Sequence, residues 1–223
     1  MRGLFVTGTD TGAGKSIVAA CICAALAARG ERVAAFKPVV TGLAEPEGEF
    51  PADHELLARA AGAGQSPVDV APYRYDPPLS PHLAAELAGE TIEPGRLVTV
   101  ARALAAEHDV LVAEGVGGLL VPITPGYLVR DLARDLSLRV VVAARTGLGT
   151  INHTLLTVEA ARAVGLDVAA VVMTPWPAEP ATIERSNRAT VERLAAVQVS
   201  GLGPVDPGSL AERGAELPLG DWL

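Results

Sequence analysis

Uncharged apolar runs recur along the chain at Leu4 to Val6, Val33 to Phe36, Val110 to Ala113, Val140 to Ala143, Val168 to Met173 and Val197 to Val199. Runs of this length with no polar alternation read as strands covered on both faces. Between them lie Ala-rich stretches of helical character. These are Ser16 to Ala28 closed by Gly30, Glu55 to Ala61 closed by Gly62, Leu97 to Glu107, Thr150 to Val164 closed by Gly165, and Ile183 to Leu194. The alternation of strand and helix predicts an α/β fold of three layers, a mostly parallel central sheet with helices on both faces. Such sheets bind ligands at the carboxyl ends of their strands. Thr41 to Pro51 and Pro67 to Pro81 are rich in Pro, Gly and acidic residues and break the rhythm, as an excursion over the top of the sheet would. Pro204 to Leu223 reads as a mixed ending of turns and helix.

With 223 residues, 49% of them hydrophobic, residues 1–223 are expected to form a single domain with a sizeable core. The net charge of −8 disfavours non-specific nucleic-acid or anionic-membrane partners. The longest apolar run, Ile17 to Ala28, falls short of the roughly 20 residues that cross a bilayer, so no membrane association is expected. Polar Thr7 to Asp10 interrupt the N-terminus before a signal-peptide core can form, and a cytoplasmic location is expected. Cys21 and Cys23 are two apart on one helix, on different sides of its axis, and read as reduced core thiols. Of the 18 cationic residues only Lys15 and Lys37 are lysine. A chain that uses arginine almost everywhere else points to a need for a compact ammonium at those two places.

Lys15 belongs to Gly8-Thr9-Asp10-Thr11-Gly12-Ala13-Gly14-Lys15-Ser16, set between the first strand and an apolar helix. Glycines that admit close backbone approach, free N–H groups and a helix N-terminus make a cradle for phosphates. Lys15 would neutralise the outer phosphates and the Ser16 hydroxyl would meet Mg²⁺. The strict phosphate-loop spacing wants glycine where Thr9 stands, so this is a variant loop of a P-loop NTPase fold. Its layout resembles that of the partition and septum-site ATPases, but Asp10 occupies the place of their additional lysine. A nucleotide-switched regulatory ATPase of that type is the alternative reading.

Lys37 follows the second strand as Phe36-Lys37-Pro38, so both lysines leave strand ends. Thr41 in the next turn is either a turn residue or a hydroxyl facing the ligand. Glu114 leaves the strand Val110 to Ala113 and precedes the glycine-rich Gly115 to Gly118, suiting a magnesium-binding acid. Asp53 precedes a helix and is either its N-cap or a further metal contact. Ser80-Pro81 reads first as an N-cap with proline at the first helical position. Gly147 to His153 opens a long helix and suits a carboxylate better than a second triphosphate, since it holds no lysine. His153 there reads as a capping or packing residue.

Gly8 to Thr11 with Gly14-Lys15-Ser16, Lys37-Pro38-Val39, Ser80-Pro81-His82, Glu114-Gly115 with Gly117-Gly118, and Leu148 to Thr157 together resemble the dethiobiotin synthetase family, in order and spacing. The resemblance implies a homodimeric, ATP-dependent ligase that carboxylates 7,8-diaminopelargonate with CO₂ and closes the ureido ring of dethiobiotin. It places catalysis at Lys37 and Lys15. It implies nucleotide contacts at Gly12, Ala13, Gly14, Lys15, Ser16, Ile17, Asp53, Glu114, Gly115, Val116, Gly117, Thr174, Pro204, Val205 and Asp206. It implies magnesium at Ser16, Asp53 and Glu114. Thr41, Ser80, Gly149, Thr150 and Asn152 would meet the diamino acid, the last three from the neighbouring subunit. Two positions depart from the family pattern: Gly12 replaces a frequent glutamate, and Thr174-Pro175-Trp176 follows the strand where Asn-Asp often reads adenine.

Overall fold

Six parallel strands make the central sheet of the computed structural model, which describes residues 1–46, 48–62 and 64–223. In chain order the elements are β1 (Gly3–Gly8), α1 (Lys15–Ala28), β2 (Val33–Phe36), β3 (Val39–Val40), α2 (Asp53–Ala61), α3 (Pro67–Val70), β4 (Tyr73–Arg74), α4 (Pro81–Ala88), α5 (Pro94–Glu107) and β5 (Val110–Gly118). There follow β6 (Pro122–Thr124), β7 (Tyr127–Leu128), α6 (Val129–Leu136), β8 (Arg139–Ala144), α7 (Thr150–Arg162), β9 (Val168–Met173), α8 (Thr182–Ala195), β10 (Gln198–Gly201), α9 (Leu210–Ala215) and α10 (Leu219–Trp222). The sheet order is β10-β9-β8-β1-β5-β2. The chain runs first to the β2 edge, returns through β5, and then builds outward on the other side of β1. The order therefore reverses at β1, and the carboxyl end of β1 is the crevice such sheets offer to ligands.

The two faces of the sheet bury separate cores. Leu4 and Val6 of β1 pack with α1, α2 and the C-terminal Leu217, Leu219 and Trp222. Phe5 points the other way, into the layer of α5, α6, α7 and α8. All the predicted strands and helices are present, with ends shifted by a few residues at most in the helices. β5 departs most: it was expected to stop at Ala113, but it continues through Glu114 to Gly118 because Val6 and Gly8 of β1 pair with Glu114 and Gly118. Four features lie beyond the sequence expectation, namely the short helix α3, helix α6, the parallel pair β3-β4 and the hairpin β6-β7.

Strand β2 forms one edge of the sheet. There the Gln65 side chain stands in for a further strand: its Oε1 accepts from the Ala35 N–H at 2.9 Å and its Nε2 donates to the Ala35 carbonyl at 2.8 Å. Cys21 and Cys23 are free, fully buried thiols, and burial raises the Cys21 thiol to about 12. No helix among the described residues is long and apolar enough to cross a membrane.

Candidate active site

The loop between β1 and α1 turns into its helix at Gly14, whose φ of 86° is the left-handed conformation that glycine adopts without strain. A Cβ there would lie 2.5 Å from Thr174 Cγ2, so the loop and the end of β9 approach too closely for any side chain at position 14. Lys15 is 7% exposed and its Nζ donates to the Asp10 carbonyl at 3.0 Å. Burial and the nearby Lys37 lower its pKa, against the pull of Glu114, Asp53 and Asp10.

Lys37 is the first residue after β2 and is 2% exposed. Its Nζ donates to Asp53 Oδ2 at 2.8 Å, to the Gly115 carbonyl at 3.2 Å and to Glu114 Oε1. Burial works against this ammonium, but the two carboxylates outweigh it and hold its pKa above the ordinary lysine range. Burial pushes the Glu114 carboxyl up, with Lys37 opposing, whereas Lys37 overcomes burial at Asp53 and brings that carboxyl down to about 2. The Ser16 hydroxyl donates to Glu114 Oε1 at 2.9 Å, and Glu114 Oε2 is buried without a hydrogen-bond partner.

Asp53 is not a helix cap. Ala52 holds that position in α2, Asp53 is the first helical residue, and its carboxylate faces Lys37. Ser80 does sit at the N-cap of α4 ahead of Pro81, but its side chain makes no capping bond and lines the cavity instead.

One cavity of about 630 Å³ gathers Gly12, Gly14, Lys15, Ser16, Ile17, Lys37, Thr41, Asp53, Ser80, Val116 and Gly117. Glu114 and Gly115 lie behind it as partners of Lys37, and Ala13 is buried in the loop. A second cavity of about 250 Å³ shares Gly12, Gly14 and Ile17 with the first and continues to Thr174, Pro204 and Val205. Asp206 lines neither; its carboxylate accepts from the Gly208 N–H at 2.9 Å within its own turn.

Gly149, Thr150 and Asn152 also lie outside both cavities. The Thr150 hydroxyl faces inward, donating to the Arg145 carbonyl at 2.6 Å, so only its backbone remains for a ligand. Asn152 and His153 are exposed, and Gly149, not His153, holds the N-cap of α7. The turn before them is held from α8, where Asn187 Nδ2 donates to the carbonyls of Thr146 and Gly147 at 2.9 and 3.1 Å. The sequence reading missed Asn187 in this role, and it missed Glu45, Phe50 and Pro78 as cavity walls. The only signal for these three walls was their place in the Pro-rich excursion, and Asn187, on α8, carried none.

Residues 2–212 match the family model described as AAA domain. The solved structure of "Cyanthece apo McdA" is similar over all of this chain and 95% of that one, with a TM-score of 0.51 at 11% identity, which establishes the fold alone. The ATP-dependent dethiobiotin synthetase of Anaeromyxobacter dehalogenans (strain 2CP-C) is 43% identical over 207 residues, covering 93% of this chain and 92% of the relative. The one from Anaeromyxobacter sp. (strain Fw109-5) is 45% identical over 89% of this chain and 92% of its own length. That of Bacillus subtilis (strain 168) is 33% identical over 92% of this chain and 87% of its own length. A parallel sheet with a phosphate loop at its switch point, two buried lysines in one cavity, and relatives that match nearly end to end place this chain in the ATP-dependent dethiobiotin synthetase family.

Proposed function

We propose that the chain uses MgATP to carboxylate 7,8-diaminopelargonate with CO₂ and to close the resulting carbamate into the ureido ring of dethiobiotin, releasing ADP and phosphate. The observation that carries this reading is Lys37, a buried ammonium held by Asp53 and Glu114 in the same cavity as the Lys15 phosphate loop. Phosphorylating a carbamate brings two anions together, and two ammonium groups in a partly dry cleft offset their repulsion. Lys15 holds the phosphate chain and Lys37 stands where phosphate and carbamate meet. The carbamate oxygen attacks the γ-phosphorus and ADP leaves. The second amine then attacks the carbamoyl carbon of the mixed anhydride and phosphate leaves, with positioning supplying most of the acceleration.

The residues fit magnesium. Glu114 Oε2 is a buried oxygen without a partner, and the Ser16 hydroxyl and Asp53 carboxylate lie in the same cluster. An all-oxygen set of one or two carboxylates, completed by substrate phosphates and water, is the usual magnesium environment. When bound, the ion would neutralise and orient phosphate oxygens. Thr174, Pro204 and Val205, which line the second cavity, would flank the base.

The diamino acid would lie in the large cavity against Thr41 and Ser80. Its distal carboxylate would meet Gly149 to Asn152 of a second copy in a homodimer. Two facts support that arrangement: these residues line neither cavity of their own chain, and Leu148 and Leu156 beside them are 95% and 56% exposed. The direct test is ATP turnover with and without the diamine and bicarbonate. Phosphate release that requires both, with dethiobiotin as product, is the expected result; release independent of them would favour a regulatory ATPase.

A further inference from the structure

We propose that Arg145 is a positioning residue of the phosphate loop, clamping its apex so that the Gly12 N–H is aimed at the nucleotide. Arg145 is the first residue after β8, the strand beside β1, so the exits of both strands are adjacent. Its Nη2 donates to the Thr11 carbonyl at 3.2 Å across 134 residues of sequence. A Cβ at Gly12 would lie 3.3 Å from the same nitrogen, so the guanidinium lies directly over position 12. The Arg145 backbone is itself anchored, because its carbonyl accepts from the buried Thr150 hydroxyl at 2.6 Å. The guanidinium is exposed and has no carboxylate partner among the described residues.

The effect follows from the planarity of the peptide unit. In a trans peptide the carbonyl of one residue and the N–H of the next point in opposite directions. The Lys15 ammonium holds the Asp10 carbonyl, and the next N–H, of Thr11, is accordingly directed elsewhere, onto Asp10 Oδ1 at 2.7 Å. Arg145 holds the following carbonyl, of Thr11, and so fixes the direction of the Gly12 N–H. Gly12 has a φ of 70° and lines both cavities. A glycine at a loop apex permits its peptide to rotate cheaply, and rotation would turn a carbonyl toward the phosphates in place of a donor. The clamp removes that freedom before nucleotide arrives. The guanidinium also brings a third positive charge close to the phosphate site of a chain whose net charge is −8.

This inference rests on the triphosphate-binding reading above, and its test separates the two. MgADP affinity by calorimetry, KM and kcat for MgATP, and melting temperature are measured for wild type, Arg145→Met and Arg145→Lys. Loss of one charge-assisted hydrogen bond predicts that Arg145→Met weakens MgADP binding and raises the ATP KM about 10- to 100-fold, with kcat and melting temperature little changed. Arg145→Lys, which keeps a donor, is expected to recover part of the loss, and added guanidinium ion to rescue Arg145→Met. Unchanged affinity in Arg145→Met, or a loss that neither lysine nor guanidinium repairs, would overturn the clamp while leaving the nucleotide site standing. Failure of the wild type to bind MgADP would overturn the nucleotide reading itself, and the clamp with it.

Discussion

Lys37 and Glu114 stand side by side one step past the last rung of a ladder. Phe36 of β2 pairs with Ala113 of β5, so the parallel register carries Lys37 and Glu114 to neighbouring positions, where the ammonium meets the carboxylate. Strand pairing, not loop folding, thus sets the contact at the centre of the site, and its geometry is as fixed as the core.

The first consequence concerns charge shape. Lys37 has three acceptors around a single nitrogen at 2% exposure, and a planar guanidinium does not fit that arrangement. Lys37→Arg is expected to lower kcat by about 100-fold or more while leaving MgADP affinity within a few-fold. Steady-state kinetics beside calorimetry checks this, and a variant with wild-type kcat would make Lys37 a purely structural cation.

Glu114→Gln is expected to raise the magnesium concentration needed for half-maximal rate and to slow phosphoryl transfer, because it removes the anion from a fully buried oxygen pair. Asp53→Asn should shift the magnesium response in the same direction but less, since the Asp53 side chain is 42% exposed. Magnesium titrations at fixed ATP separate the two variants. An unchanged response in Glu114→Gln would remove that residue from the metal site.

Asp53 also predicts an acid-side signature. Its carboxyl is brought down to about 2 by Lys37 against the effect of burial, whereas an unfolded aspartate titrates near about 3.9. A group depressed in the folded state contributes stability that is present above the unfolded value and is lost as pH falls through the folded one. The urea midpoint of the wild type should therefore fall more steeply between about pH 4 and pH 2 than that of Asp53→Asn. Parallel acid slopes would mean that the Lys37–Asp53 pair adds nothing to folding.

Base choice follows from the lining of the small cavity. Thr174, Pro175, Gly203, Pro204 and Val205 place no side-chain carboxamide or carboxylate there to read an exocyclic amino group. Strong discrimination arises when a site's own polar groups are left unpaired by the wrong ligand, and this wall has few to leave. KM values for ATP, CTP and GTP are expected to fall within about 10-fold of one another. A preference of several hundredfold for ATP would point to a reader outside this wall.

The dimer prediction is tested by mixing. Asn152→Ala should raise KM for the diamino acid with little change in the nucleotide KM, since it removes binding at the unreactive end of the substrate. Lys37→Ala and Asn152→Asp chains, each inactive alone, should recover part of the activity as heterodimers. Confirmed heterodimers without recovery would put both ends of the substrate on one chain.

Much of this architecture was legible because five of the six sheet strands carry an apolar run of three or more residues and most core helices are closed by glycine or rich in alanine; β10, with Gln198 and Ser200 about Val199, is the weaker case. The lysines stood out because arginine fills every other cationic position. Helix α6 carries a different signal, one that a search for apolar runs passes over: its buried Val129, Leu132, Ala133 and Leu136 recur at helical spacing, and the other four residues, Arg130, Asp131, Arg134 and Asp135, are all charged. The Asp53 cap reading failed because spacing cannot tell the residue before a helix from its first residue. Arg145 was invisible for a different reason, since it looks like one arginine among sixteen until the register of β8 against β1 sets it beside Thr11.

The Gln65 amide at the β2 edge has a bearing on behaviour in a crowded solution. An open edge strand is a template onto which a strand of another molecule can add, and the sequence around Ala35 is apolar enough to invite it. By filling both hydrogen-bonding positions of Ala35, Gln65 denies that template at a point two residues from Lys37. Addition of a foreign strand at this edge would first have to displace the Gln65 amide from Ala35, beside the lysine at the centre of the site.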